Sequence, residues 1–187
     1  MKILLHMCCA PCSIYPVEVL REEGHELMGY FFRDNIHPYT ECEKREEAVR
    51  KFSELAGLKV VFPGGYEPEE FLRMVVFREA DRCRFCYHQR LKSAAMVARR
   101  GKFDAFTSSL LYSRFQNHEL IARTGEAVAA ETGVPFIYRD FREGWKQGIE
   151  QSKAMGLYRQ QYCGCIYSEK DRYFRPKKRK RGASADA

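Results

Sequence analysis

No stretch of the 187-residue chain approaches the run of about 18 apolar residues that a membrane-crossing helix needs. Its start, Met1-Lys2-Ile3-Leu4-Leu5-His6-Met7-Cys8-Cys9, is too short and too rich in thiols for an export signal. These two absences argue against membrane-bound and secreted classes and predict a cytoplasmic protein. A Walker-type glycine loop and a dinucleotide fingerprint are also missing, which demotes nucleotide hydrolysis. Excess charge is scarce outside the last few residues. Of the formal net charge of +7, Arg175, Lys177, Lys178, Arg179, Lys180 and Arg181, less Asp186, supply all but +2. Residues 175–187 are therefore expected to form a basic, disordered tail attracted to polyanions, either a solubilising extension or a nucleic-acid contact. Residues 1–174 contain no internal repeat and no linker, and they are long enough for one well-filled core.

What the chain does have is a regular alternation of elements. Short apolar runs at 2–7, 26–32, 58–62, 103–107 and 134–138 read as buried strands. Helical patterns at 14–23, 40–55, 68–77, 83–100 and 116–132 separate them, with Gly24, Gly57 and Gly101 as stops. This order predicts an α/β fold with a mainly parallel five-stranded sheet and helices on both faces. In open sheets of this kind ligands gather outside the carboxyl ends of the strands. The site is therefore expected where the strands deliver Cys8 and Cys9, Asp34 and Asn35, Ser108 and Ser109, and Asp140.

Eight cysteines stand in the sequence, and seven of them fall into three tight groups. Scattered thiols suit disulfides, whereas close grouping is what a metal requires, because several soft ligands must converge on one point. Cys8, Cys9 and Cys12 surround Pro11 in a C-x-x-C turn that also fits a redox dithiol. Cys83 and Cys86 lie one turn apart at the start of a predicted helix, where its first N–H groups and flanking Arg82 and Arg84 favour thiolates. Cys163 and Cys165 flank Gly164, whose flexibility lets both sulfurs turn toward one centre. Cys42 stands alone and reads as a structural thiol. A structural zinc and a [4Fe–4S] cluster each take four thiolates, so seven exceed what either needs. Spacing alone points to an iron–sulfur enzyme, and leaves open a zinc-stabilised RNA-binding module or a dithiol–disulfide oxidoreductase.

Several motifs taken together are more specific. His6-Met7-Cys8-Cys9-Ala10-Pro11-Cys12, Asn35-Ile36-His37-Pro38, Arg82-Cys83-Arg84-Phe85-Cys86-Tyr87 with Arg90-Leu91, the 103–111 segment, Asp140-Phe141-Arg142 and the 158–165 segment occur in order across the body. The combination resembles the QueH-type epoxyqueuosine reductases. That resemblance implies deoxygenation of the epoxide of epoxyqueuosine in tRNA to give queuosine, by a cobalamin-independent enzyme with a [4Fe–4S] cluster and an adjacent mononuclear iron.

The residues suit that chemistry. Removing an epoxide oxygen as water takes two electrons and two protons, so an external electron donor is implied. A [4Fe–4S] cluster passes one electron at a time, which makes a second redox-capable metal a useful partner. Under this reading Cys83 and Cys86 hold the cluster with one thiol of the Cys8–Cys9 pair and one of the Cys163–Cys165 pair. The remaining thiols and a carboxylate, Asp140, hold the second iron; the competing role for Asp140 is an ion pair with Arg139 or Arg142. Asn35, Tyr158, Arg159 and Tyr162 are the candidate substrate contacts, because unpaired bases stack on aromatic rings and phosphates pair with arginine. Tyr112 and Arg114 belong to the same group.

Overall fold

The computed structural model describes residues 1–174. The basic tail read from the sequence lies outside the described residues. Strands β1 (Lys2–Met7), β2 (Glu26–Phe31), β3 (Val60–Val61) and β4 (Ala105–Ser108) form one parallel sheet in the order β3-β2-β1-β4. β1 is central, pairing along its whole length with β2 and from Ile3 to His6 with β4. Covered on both faces, it is buried from Ile3 onward, which is why its sequence reads as an almost unbroken apolar run.

Helices α1 (Ile14–Glu22) and α2 (Tyr39–Leu55) cover one face, where Ile14, Val17, Val49 and Phe52 meet Leu5, Met7 and Phe31. Helices α3 (Pro68–Val75), α4 (Arg82–Arg100) and α5 (His118–Thr132) follow in the chain. α4 and α5 cover the other face, packing Leu91, Ala94, Ala95, Ile121 and Val128 against Leu4 and Phe106. Asn117 caps α5 by accepting the Leu120 N–H at 3.0 Å, and Gly133 ends it in a left-handed conformation (φ 72°) that glycine adopts without strain. Two shorter helices, α6 (Trp145–Ala154) and α7 (Ile166–Tyr173), complete the described chain.

The sheet has four strands, not the five expected. Residues 134–138 reach the β4 edge but make only a single parallel bridge between Phe106 and Phe136. Pro135 accepts the Phe106 N–H at 2.9 Å but has no N–H of its own to continue the ladder. β4 itself stops after four residues, because the chain turns at Ser109 into a 3₁₀ segment, Ser109–Tyr112. A side chain substitutes for the missing ladder: the Thr107 hydroxyl donates to the Ile137 carbonyl at 2.8 Å. β3 is likewise shorter than the 58–62 run, as befits an edge strand. The carboxyl ends of β1, β2 and β4 do converge, and they carry Cys8, Asn35 and Ser109 to one edge of the sheet.

Candidate metal centre

Beyond Met7 the chain turns tightly across the sheet edge, with the Ser13 N–H donating to the Ala10 carbonyl at 2.9 Å and the Ser13 hydroxyl to the Cys9 carbonyl at 2.8 Å. The turn buries Cys8, Cys9 and Cys12. Among the described residues these three form the one set of His, Cys, Asp or Glu groups whose ligand atoms all lie within 4.8 Å of each other. Donors from distant segments point at the sulfurs. Gln160 Nε2 lies 2.9 Å from Cys9 Sγ and 3.4 Å from Cys12 Sγ, and the Ser109 hydroxyl lies 3.4 Å from Cys8 Sγ.

The three thiols divide their protons unequally. Cys8 ionises well below the ordinary thiol range, because the Cys12 and Cys9 thiols donate to it and Arg90 lies nearby. Cys9 is pushed far up, first by burial, and Cys12 well up, first by its hydrogen bond to Cys8. One negative charge fits the group as it stands. Stripping the other two protons requires a cation among the sulfurs, which is what a thiophilic metal provides. The donor set thus fits a metal ion.

A second thiol group faces the first. Cys83 and Cys86 open α4, and Cys163 and Cys165 come from the segment before α7. All four line one cavity of about 190 Å³. Asn35 Nδ2 lies 3.4 Å from Cys86 Sγ, Arg90 Nε 3.2 Å from the same sulfur, and Gln116 Nε2 3.1 Å from Cys163 Sγ. Asn35 Oδ1 is buried with no hydrogen-bond partner. Four cysteines with amide and guanidinium donors aimed at their sulfurs are the surroundings that iron–sulfur clusters use.

A buried arginine assembles this second group. Arg45 pairs with Glu41 at 2.8 Å and donates to the carbonyls of Cys163 and Tyr162, each at 2.9 Å. The Tyr158 hydroxyl donates to the other Glu41 oxygen at 2.5 Å, and the His37 N–H to the Gly164 carbonyl at 2.7 Å. Gly164 has φ 147°, a conformation that side chains resist, and a Cβ there would lie 3.3 Å from Arg45 Nη1.

Above the first group opens a larger cavity of about 510 Å³, lined by Cys8, Cys12, Tyr112, Trp145, Arg159 and Tyr162 among others. Tyr112 stacks on Trp145 with ring centroids 5.2 Å apart, Phe115 meets Trp145 edge-on at 5.7 Å, and the Arg114 guanidinium sits 5.8 Å from the same ring. The two cavities share Phe115, Gln116, Cys163 and Ser168, so they adjoin, and Cys163 lines the cavity of the first thiol group as well as that of the second.

The sequence-derived candidates fall into clear places. Arg159 and Tyr162 line the larger cavity, with the Tyr162 hydroxyl donating to the His37 carbonyl at 2.6 Å. Tyr158 is engaged with Glu41, and Asn35 with Cys86. The structure does not bring Asp140 to either cavity: Arg142 holds its carboxylate with a 2.8 Å contact from Nε and lowers its pKa to about 2. Cys8, Cys9 and Cys12 lie close to one another, while Cys83, Cys86, Cys163 and Cys165 line the smaller cavity and Cys163 lines the larger one as well. Gln116, Gln160, Arg45 and the sulfur contact of Arg90 were not foreseen from the sequence.

The chain is similar over most of its length to known proteins. A family model described as epoxyqueuosine reductase QueH matches residues 3–171. A relative named epoxyqueuosine reductase QueH from Dehalococcoides mccartyi is 39% identical over 175 residues, spanning 94% of this chain and 96% of its own. One of the same name from Thermotoga maritima is 32% identical, spanning 89% of each chain. Among solved structures, a predicted subunit of tRNA methyltransferase from Methanocaldococcus jannaschii superposes with TM-score 0.52 at 11% identity, over 81% of this chain and 74% of that one. That last likeness is one of fold alone.

Proposed function

We propose that this chain, which belongs to the epoxyqueuosine reductase QueH family, deoxygenates epoxyqueuosine in tRNA to queuosine with electrons from an external donor. The observation that carries the reading is the gathering of the seven grouped thiols around two adjoining cavities, the larger of them lined by aromatic rings. Cys83, Cys86, Cys163 and Cys165 are assigned to a [4Fe–4S] cluster, and Cys8, Cys9 and Cys12 to the mononuclear iron. Asp140 could add an oxygen ligand only by releasing Arg142. When bound, the cluster and the iron would supply the two electrons that loss of the epoxide oxygen as water consumes.

The protein's own side chains have the complementary tasks. Gln160, Gln116, Asn35 and the Ser109 hydroxyl orient the sulfurs and disperse their charge. Tyr112, Trp145 and Phe115 present ring surface to a flat base, as unpaired RNA bases require. Arg159 and Arg172 line the same cavity and suit phosphate oxygens, and Tyr162 closes its wall.

The test is to incubate anaerobically loaded protein and a reductant with tRNA carrying epoxyqueuosine, and to weigh the released nucleosides. The expected product is lighter by one oxygen, from protein whose iron exceeds its sulfide. Fully loaded protein that leaves the nucleoside unchanged would overturn the reading. Zinc without sulfide would favour an RNA-binding module, and turnover that survives removal of all metal would favour a Cys9–Cys12 dithiol oxidoreductase.

A further inference from the structure

Two arginines are buried among the described residues, and they keep different company. Arg45 has a carboxylate, Glu41. Arg90 has none: no ion pair among the described residues includes it. Its Nη2 lies 3.1 Å from the Asn35 carbonyl, and its Nη1 3.4 Å from the Phe32 carbonyl and 3.5 Å from His6 Nε2. The Phe32 ring lies 5.8 Å from the guanidinium carbon. These partners are dipoles and a ring, with no formal negative charge. The remaining contact is Nε to Cys86 Sγ at 3.2 Å.

Cys8 also lies near Arg90 but makes no hydrogen bond to it among the described residues, and a buried cation whose other bonded partners are neutral implies an anion at its remaining contact. A Cys86 thiolate bound to an anionic iron–sulfur centre is such a partner. A fixed positive charge there stabilises the more negative, reduced state of the centre over the oxidised one. We propose that Arg90 is the built-in counter-charge of the redox centre that Cys86 helps to hold, setting its reduction potential above the value the sulfur ligands alone would give. Arg90 is thus a tuning residue that acts through Cys86. The inference rests on the iron–sulfur assignment made above.

The experiment compares wild-type protein, Arg90→Gln and Arg90→Lys by anaerobic iron and sulfide analysis and by a spectroscopic redox titration. Glutamine and lysine both keep an N–H donor, and only lysine keeps the charge. The Gln variant is expected to bind its electron about tenfold more weakly, a midpoint lower by about 59 mV for a one-electron couple, with the Lys variant near wild type. If the Gln variant takes up no iron and the Lys variant does, cofactor content reports the same charge requirement. Equal midpoints in both variants, failure of both to load, or loading by Gln alone would overturn the proposal and leave Arg90 a packing role. Wild-type protein without iron and sulfide would instead sink the underlying assignment.

Discussion

Cys42 is as deeply buried as any thiol in the chain, yet its surroundings are unlike those of the other seven. Its sulfur donates to the Arg33 carbonyl at 3.7 Å, lines neither cavity, and is pushed up to about 11, chiefly by burial. Cys42→Ala should leave iron and sulfide content unchanged and cost about 1 kcal/mol of stability, measured by denaturant unfolding. Asp140 offers the complementary case. Its lowered pKa means that the pair with Arg142 stabilises the fold above the ordinary carboxyl pKa and stops doing so as pH falls toward about 2. The pair is more than a third exposed on both sides, so Asp140→Asn should cost less than about 1 kcal/mol at neutral pH. Iron content should not change; its loss on that substitution would restore the carboxylate as a ligand. The seven grouped sulfurs are legible in the sequence because their spacing is local. Their donors are not: Gln160 and Cys9 stand 151 positions apart, and nothing but the fold joins them.

Between elements, the critical joint is Arg45, which ties α2 to the segment carrying Cys163 and Cys165. Arg45→Met would leave Glu41 buried without its cation, so a loss of about 3–5 kcal/mol is expected in unfolding of the metal-free protein. A loss below about 1 kcal/mol would mean that water takes over the arginine's role. Gly164 could be read from the sequence as the residue that lets two neighbouring sulfurs turn inward, and its φ of 147° agrees. Arg45 could not, because a charged residue in a helix among Glu41, Glu43 and Lys44 looks like part of a solvated face. The fifth strand failed for a related reason. The 134–138 run has the composition of a strand, but pairing is decided by Pro135 and by where β4 turns, and neither shows in apolar content.

Across the whole molecule, the alternation of strands and helices was enough to predict a parallel sheet covered by helices, and the carboxyl edge of that sheet is where β1 releases Cys8, Cys9 and Cys12. Residues 1–174 carry only +2, so under the proposed function the six cations of the tail would supply most of the long-range attraction to tRNA. Truncation after Phe174 should therefore weaken tRNA binding at low salt and flatten its salt dependence, read from binding isotherms at several ionic strengths. Unchanged isotherms would leave the tail without that role. The division of the seven thiols is tested most directly by a Mössbauer spectrum of anaerobically loaded, iron-57-enriched protein, recorded for wild type and for Cys12→Ala. The wild-type spectrum should hold a cluster component and a separate mononuclear one, with the mononuclear component alone lost on removal of Cys12. A single iron component in the wild type, or loss of the cluster component with Cys12, would contradict the partition.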